Sequence, residues 1–136
     1  MNNSLQPSAH GRILFVDKDM QMREVMKIVL KDRFQVVTTN SAEAGLQLLE
    51  SETPFHIVIS SFSLLWMDGL EFLRRVSELY PQTVRILTSG ACPADVGQAI
   101  RQGHISRFVP KPFCMSSMRE QLNNDLSPVR GGEAAC

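Results

Sequence analysis

Residues 55–69 read FHIVISSFSLLWMDG, and the reading of the fold turns on them. After His56, the run Ile57-Val58-Ile59 is compact and β-branched, as in a parallel strand buried on both faces. The chain leaves that strand through Ser60 and Ser61 and closes with Asp68-Gly69 just ahead of an amphipathic helix. In a doubly wound sheet the ends of the central strands form the ligand crevice. Position 61 therefore lies where such a fold does its work, and it carries a serine.

Upstream, Arg12 to Val16 (RILFV) is a short apolar strand followed at once by Asp17-Lys18-Asp19. Met22, Val25, Met26, Val29 and Leu30 then recur with helical spacing, which predicts one buried stripe. Phe34 to Thr38 reads as the second strand. Asn40 can cap the next helix, with Glu43 completing a capping box and Ala42, Leu46 and Leu49 facing inward. Downstream of the central stretch, a helix from about Leu70 presents Leu73, Val76 and Tyr80, and Pro81 stops it. Val84 to Thr88 is a fourth strand, ending at Thr88-Ser89-Gly90. Pro93, Val96, Ala99 and Ile100 outline a helix that Gly103 terminates. Ile105 to Val109 is the fifth strand, before Pro110-Lys111-Pro112, and Met115, Met118, Leu122 and Leu126 line a last helix. Strands alternating with helices in this way predict an α/β fold: a flavodoxin-like (βα)5, doubly wound, parallel five-stranded sheet with helices on both faces.

The 136 residues suit one domain, expected over 12–126, with a flexible arm at 1–11 and a flexible tail at 127–136. The sequence holds 14 basic and 14 acidic residues, so no broad field favours nucleic acid or an anionic membrane. No apolar run approaches the ~20 residues of a membrane span, and the start lacks the pattern of a secretory signal, so a cytoplasmic location is expected. Cys92, Cys114 and Cys136 form no CxxC pair or evident metal set and read as buried or incidental thiols. His10, His56 and His104 fall away from Ser61 along the chain, which disfavours a Ser–His hydrolase. An unrelated flavodoxin-like binding protein or enzyme would need a glycine-rich phosphate loop, which is missing.

The predicted topology gathers Asp17, Lys18, Asp19, Ser61, Thr88, Ser89 and Lys111 at one edge of the sheet. ILFVDKD, MDGLEFL, ILTSG and RFVPKPF, in that order on those elements, resemble the receiver domain of bacterial response regulators over roughly residues 12–125. The resemblance implies a role in two-component phosphorelay signalling. In such receivers, acidic residues after the first strand and an aspartate after the third hold Mg²⁺, and that aspartate takes the phosphoryl group. A hydroxyl residue after the fourth strand and a lysine after the fifth bind the phosphoryl oxygens. Carried over, Asp17 and Asp19 match the acidic pocket, Ser89 the hydroxyl position and Lys111 the lysine. Phe108 matches the switch aromatic, and a cis bond is implied at Lys111–Pro112.

Two departures change the chemistry. Lys18 stands at a metal-binding acidic position, and Ser61, seven residues before Asp68, stands at the acceptor. Crowded carboxylates repel unless a cation relieves them. With Ser61 neutral and Lys18 cationic, Lys18 is expected near Asp17 or Asp19, replacing the metal. A serine without an activating base is no substitute nucleophile. The expected protein is a phosphorylation-independent pseudo-receiver, not an enzyme, with no cofactor and with Mg²⁺ binding lost or weak. Its expected partners are a histidine kinase, an output domain or another regulator, and self-association is a further expectation. The competing reading is a phospho-accepting receiver with an atypical acceptor or metal site. The resemblance also points to the face from Pro93 to Leu126, with Arg101, Gln102, Arg107, Phe108 and Arg119, as the contact surface. Each residue has a plainer reading as well. Asp17 and Lys111 could form a structural ion pair, Ser61 could be a loop residue, and Phe108 could be core. Leu64-Leu65-Trp66 is either core or a partner surface.

Overall fold

The computed structural model describes residues 11–51 and 53–126. Five strands and five helices alternate: β1 Arg12–Val16, α1 Met20–Leu30, β2 Gln35–Thr39, α2 Ala42–Ser51, β3 Ile57–Ser61, α3 Gly69–Leu79, β4 Val84–Ser89, α4 Val96–Arg101, β5 Arg107–Pro110 and α5 Met115–Asp125. The strands form one parallel sheet in the order β2-β1-β3-β4-β5. This is the flavodoxin-like arrangement that the alternation predicts. The tail at 127–136, Cys136, His10 and all of the arm except Gly11 lie outside the described residues. Gly11 itself is tied into the sheet, since its carbonyl accepts from the Gln35 N–H at 3.0 Å.

Strand alternation sorts the core into two layers. Leu14, Val16, Val58, Leu87 and Phe108 pack with Phe72, Leu73 and Val76 of α3 and with residues of α2 and α4. Ile13, Phe15, Ile57, Ile59, Ile86 and Val109 face Met26 and Leu30 of α1 and Met118 and Leu122 of α5. Several boundaries and contacts differ from the sequence reading. Ser60 and Ser61 lie inside β3, β2 and β5 shift downstream, and β4 runs on to Ser89. Their carbonyls and N–H groups still find partners in the next strand, as in Phe62 N–H to Thr88 O at 2.8 Å, so pairing outruns the apolar pattern. Ser41, not Asn40, caps α2 by accepting from Ala44 N–H at 3.1 Å. Val25, expected in the buried stripe, is 40% exposed, because only Met26 and Leu30 of α1 reach full burial. Cys114 is exposed, the incidental of its two readings, and bonding from the Ser116 hydroxyl lowers its pKa.

On the surface of α3, Arg74 and Arg75 hydrogen-bond Glu71 and hold it at about 2, against an ordinary 4.5. The carboxyl is depressed in the folded chain, so this stabilisation is complete above about 4.5 and is lost as pH falls through about 2. Glu71 is more than a third exposed, so solvent screening keeps the contribution small.

Candidate functional site

The C-terminal edge of the sheet is built by three central strands. β1 ends at Val16, and the next residue, Asp17, turns back under the edge and is 1% exposed. β3 delivers Ser61, 4% exposed, in register with the fully buried Thr88 of β4. Beyond β5, Lys111 N–H donates to Ser89 O at 2.8 Å, which anchors the segment carrying the lysine. The Lys111–Pro112 peptide is cis, as the resemblance implied.

Lys111 is the hub of the crevice. Its Nζ lies 3.0 Å from Asp17 Oδ2 and 3.3 Å from Ser61 Oγ. The other Asp17 oxygen accepts from the Asp19 N–H at 2.9 Å. Asp19 is used in turn as the N-cap of α1, accepting from Gln21 N–H at 3.0 Å. Both Asp17 oxygens are therefore occupied within the chain. Lys18 departs from expectation: it is exposed and forms no ion pair among the described residues. Successive side chains leaving a strand point to opposite sides, so turning Asp17 inward turns Lys18 out. The cation beside Asp17 is Lys111. That ammonium, paired with a carboxylate, donates to Ser61 and is no general base for it.

The remaining site positions divide in the same way. Ser89 is half-buried, and its hydroxyl accepts from Ala91 N–H at 3.3 Å instead of meeting Lys111. Phe108 is 5% exposed and sits in the α2–α3–α4 layer, the core position that was one of its two readings. The expected cationic face is tied up internally. Arg107 makes a paired contact with Asp125 at 2.7 and 2.6 Å and reaches Gln121 at 3.1 Å, and Arg119 pairs with Asp32 at 2.7 Å. Arg101 and Gln102 are exposed. In the loop after β3, Leu64 packs on the core while Leu65 and Trp66 are 53% and 86% exposed.

Sequence reasoning passed over Arg85. This buried guanidinium within β4 donates to four carbonyls: Pro81, Thr83, Gly103 and His104. Burial lowers its pKa. A single charge inside the apolar run VRILTS was the available signal, since an arginine is almost never buried without partners.

Thr88 Oγ1 is fully buried and has no hydrogen-bond partner among the described residues. An unmade hydrogen bond of this kind costs about 1 kcal/mol or more, and valine has the same shape without the need. Thr88→Val is expected to raise stability by about 1 kcal/mol, read as a higher urea midpoint with an unchanged m-value. A loss of stability would mean that the hydroxyl has a partner.

The fold agrees with the comparisons. The model of the response regulator receiver domain family matches residues 13–123. The chain belongs to that family. A relative, the hydrogenase transcriptional regulatory protein HoxA of Bradyrhizobium diazoefficiens, is 31% identical over 124 residues. That match takes in 90% of this chain but 25% of HoxA, so the chain spans a quarter of that protein's length. Among solved receivers, the signal receiver domain of an HD domain-containing protein from Pseudomonas fluorescens superposes with a TM-score of 0.73 at 31% identity, covering 79% of this chain and 87% of that one. A CheY-like receiver from Methanospirillum hungatei has a TM-score of 0.80 at 24% identity over 85% of this chain and 93% of that one, which speaks for the fold. This receiver is a module of two-component signalling. No helix among its described residues is long and apolar enough to cross a membrane.

Proposed function

We infer that this receiver does not accept a phosphoryl group and signals through protein contacts alone. The observation that carries the reading is the Lys111 ammonium, 3.3 Å from a serine hydroxyl at the acceptor position and 3.0 Å from Asp17. An acyl phosphate requires a carboxylate, and Ser61 has none. Mg²⁺ wants near-octahedral oxygen ligands, usually including carboxylates. Here one Asp17 oxygen serves Lys111, the other the Asp19 N–H, and Asp19 caps α1. That donor set does not fit the ion. Within the chain, the Lys111 ammonium neutralises the Asp17 carboxylate at 3.0 Å.

A chain without the covalent input has no phosphoryl group to bias its conformations, and a ligand shifts an equilibrium only by its differential affinity. Its output then comes from a standing surface or from a partner that selects a state. The expected partner is a histidine kinase, an output domain or another regulator in the cytoplasm, and neither nucleic acid nor a membrane surface is called for by the balanced charge.

Incubation with acetyl phosphate and Mg²⁺, followed by intact-mass measurement, is expected to leave the chain unmodified. A stoichiometric, hydroxylamine-labile adduct of one phosphoryl group would overturn the reading in favour of an atypical acceptor. The double variant Ser61→Asp with Lys18→Asp restores the two missing carboxylates while Asp17, Ser89 and Lys111 remain. It is expected to gain saturable Mg²⁺ binding and the labile adduct.

A further inference from the structure

Trp66 is the only tryptophan in the sequence and the most exposed of the large apolar side chains among the described residues, at 86%, beside the half-exposed Leu65. Its backbone is unusual too. Met67 N–H donates to Leu65 O at 2.7 Å, so Trp66 is the centre of a γ-turn. Its φ of 67° gives that turn the rarer, strained hand, and it is the one positive value at a non-glycine among the described residues. Glycine would take this conformation without strain. A large aromatic held there and left in water gains nothing within the isolated chain, and strain of this kind collects at binding sites.

Two residues further on, at Asp68, an open cleft of about 320 Å³ begins between α3 and α4. Leu70 and Ala99 supply apolar wall, Arg74 a guanidinium, and Asp68 and Asp95 carboxylates. An indole matches that mixture: an apolar body, a face that attracts a guanidinium, and one N–H to donate to a carboxylate. Arg74 is steadied for such stacking by Glu71 at 3.0 and 2.7 Å.

We propose that Trp66 of one copy of this chain inserts into the α3–α4 cleft of a second copy, with the reciprocal insertion closing a two-fold dimer. The second copy is the occupant because projection and cleft adjoin on one surface, sharing the segment 66–70, so one axis beside that segment satisfies both at once. Each ring hides about 200 Å², so even with Leu65 the contact falls well below a standard interface and the dimer is weak and concentration-dependent. It requires no phosphoryl group and stands whether or not Ser61 accepts one.

Because Trp66 is the sole tryptophan, its emission reports its own burial. The parent chain, Trp66→Gly and Gln98→Arg are compared by sedimentation velocity, with emission spectra of the two that keep the indole, from about 1 µM to about 500 µM without phosphodonor. Gln98 lines the cleft and is exposed, so the arginine obstructs the cleft without disturbing the core. In the parent, emission is expected to move to the blue over the concentrations at which the sedimentation coefficient rises. Trp66→Gly should stay monomeric while melting no lower than the parent, because glycine relieves the turn. Gln98→Arg should stay monomeric with red, solvated emission throughout. The proposal is overturned by a parent that remains monomeric, by dimerisation of Trp66→Gly or Gln98→Arg with the parent's midpoint, or by association that leaves the emission unmoved.

Discussion

Gly69→Ala is expected to destabilise the domain by at least ~3 kcal/mol, about 12 °C in melting temperature for a chain of this size. Gly69 opens α3, and its N–H donates to Phe62 O at 2.8 Å, which pulls the helix start against the end of β3. A Cβ there would lie 2.0 Å from Ser61 O, 2.8 Å from Ser61 C and 2.9 Å from Ser60 Oγ. Two of those atoms are backbone in the middle of the sheet and cannot swing away as a side-chain tip can. Helix propensity runs the other way, favouring alanine by about 1 kcal/mol, so a net loss would show that the close approach dominates. Gly90→Ala is the internal control: a Cβ there meets nothing within 4 Å, and the change should stay within about 0.5 kcal/mol. Urea unfolding of both variants decides the matter. Equal midpoints would remove the close approach of α3 to β3 as the reason for glycine. Because Ser61 is one of the residues struck, Gly69→Ala should also disturb the Ser61–Lys111 contact of 3.3 Å.

Arg85→Met is expected to cost about 3 kcal/mol and to loosen the segment between α4 and β5. Gly103, at φ 80°, ends α4 in a left-handed turn closed by His104 N–H to Ala99 O at 2.9 Å. Arg85 then donates to Gly103 O at 2.9 Å and His104 O at 3.0 Å, while also holding the carbonyls of Pro81 and Thr83 just ahead of β4. The cation thus ties down the two carbonyls that follow the end of α4. Methionine fills the space but donates nothing. Water can reach Pro81 and Gly103, which are exposed, whereas Thr83 is buried, so the cost stays below the sum over four carbonyls. Arg85→Lys should fall between parent and methionine variant, because a point charge cannot span a fork of four acceptors. Amide exchange read by mass spectrometry should speed up over residues 103–106 in Arg85→Met. Unchanged exchange and an unchanged midpoint would mean that the carbonyls find other donors at no cost.

The alternation of apolar runs, the glycine and proline stops and the Asp68-Gly69 turn carried the fold class and the sheet edge on which the crevice sits. These are local features, set by period and backbone sterics within a few residues. Serine at position 61 was likewise legible, because a nucleophile's chemistry belongs to the residue itself. Tertiary structure decided which partners such residues take. Asp17 meets Lys111, 94 residues away, and not its neighbour Lys18, because strand alternation sends adjacent side chains to opposite sides. Arg107 reads as a surface cation until α5 brings Asp125 to it, and Arg85 reads as a flaw in a strand until the end of α4 closes over it. Leu64, Leu65 and Trp66 are alike in sequence. A γ-turn at Trp66, legible only in the folded backbone, turns one inward and leaves two in solvent, since the direction of a side chain in a loop follows from φ and ψ rather than from its hydrophobicity.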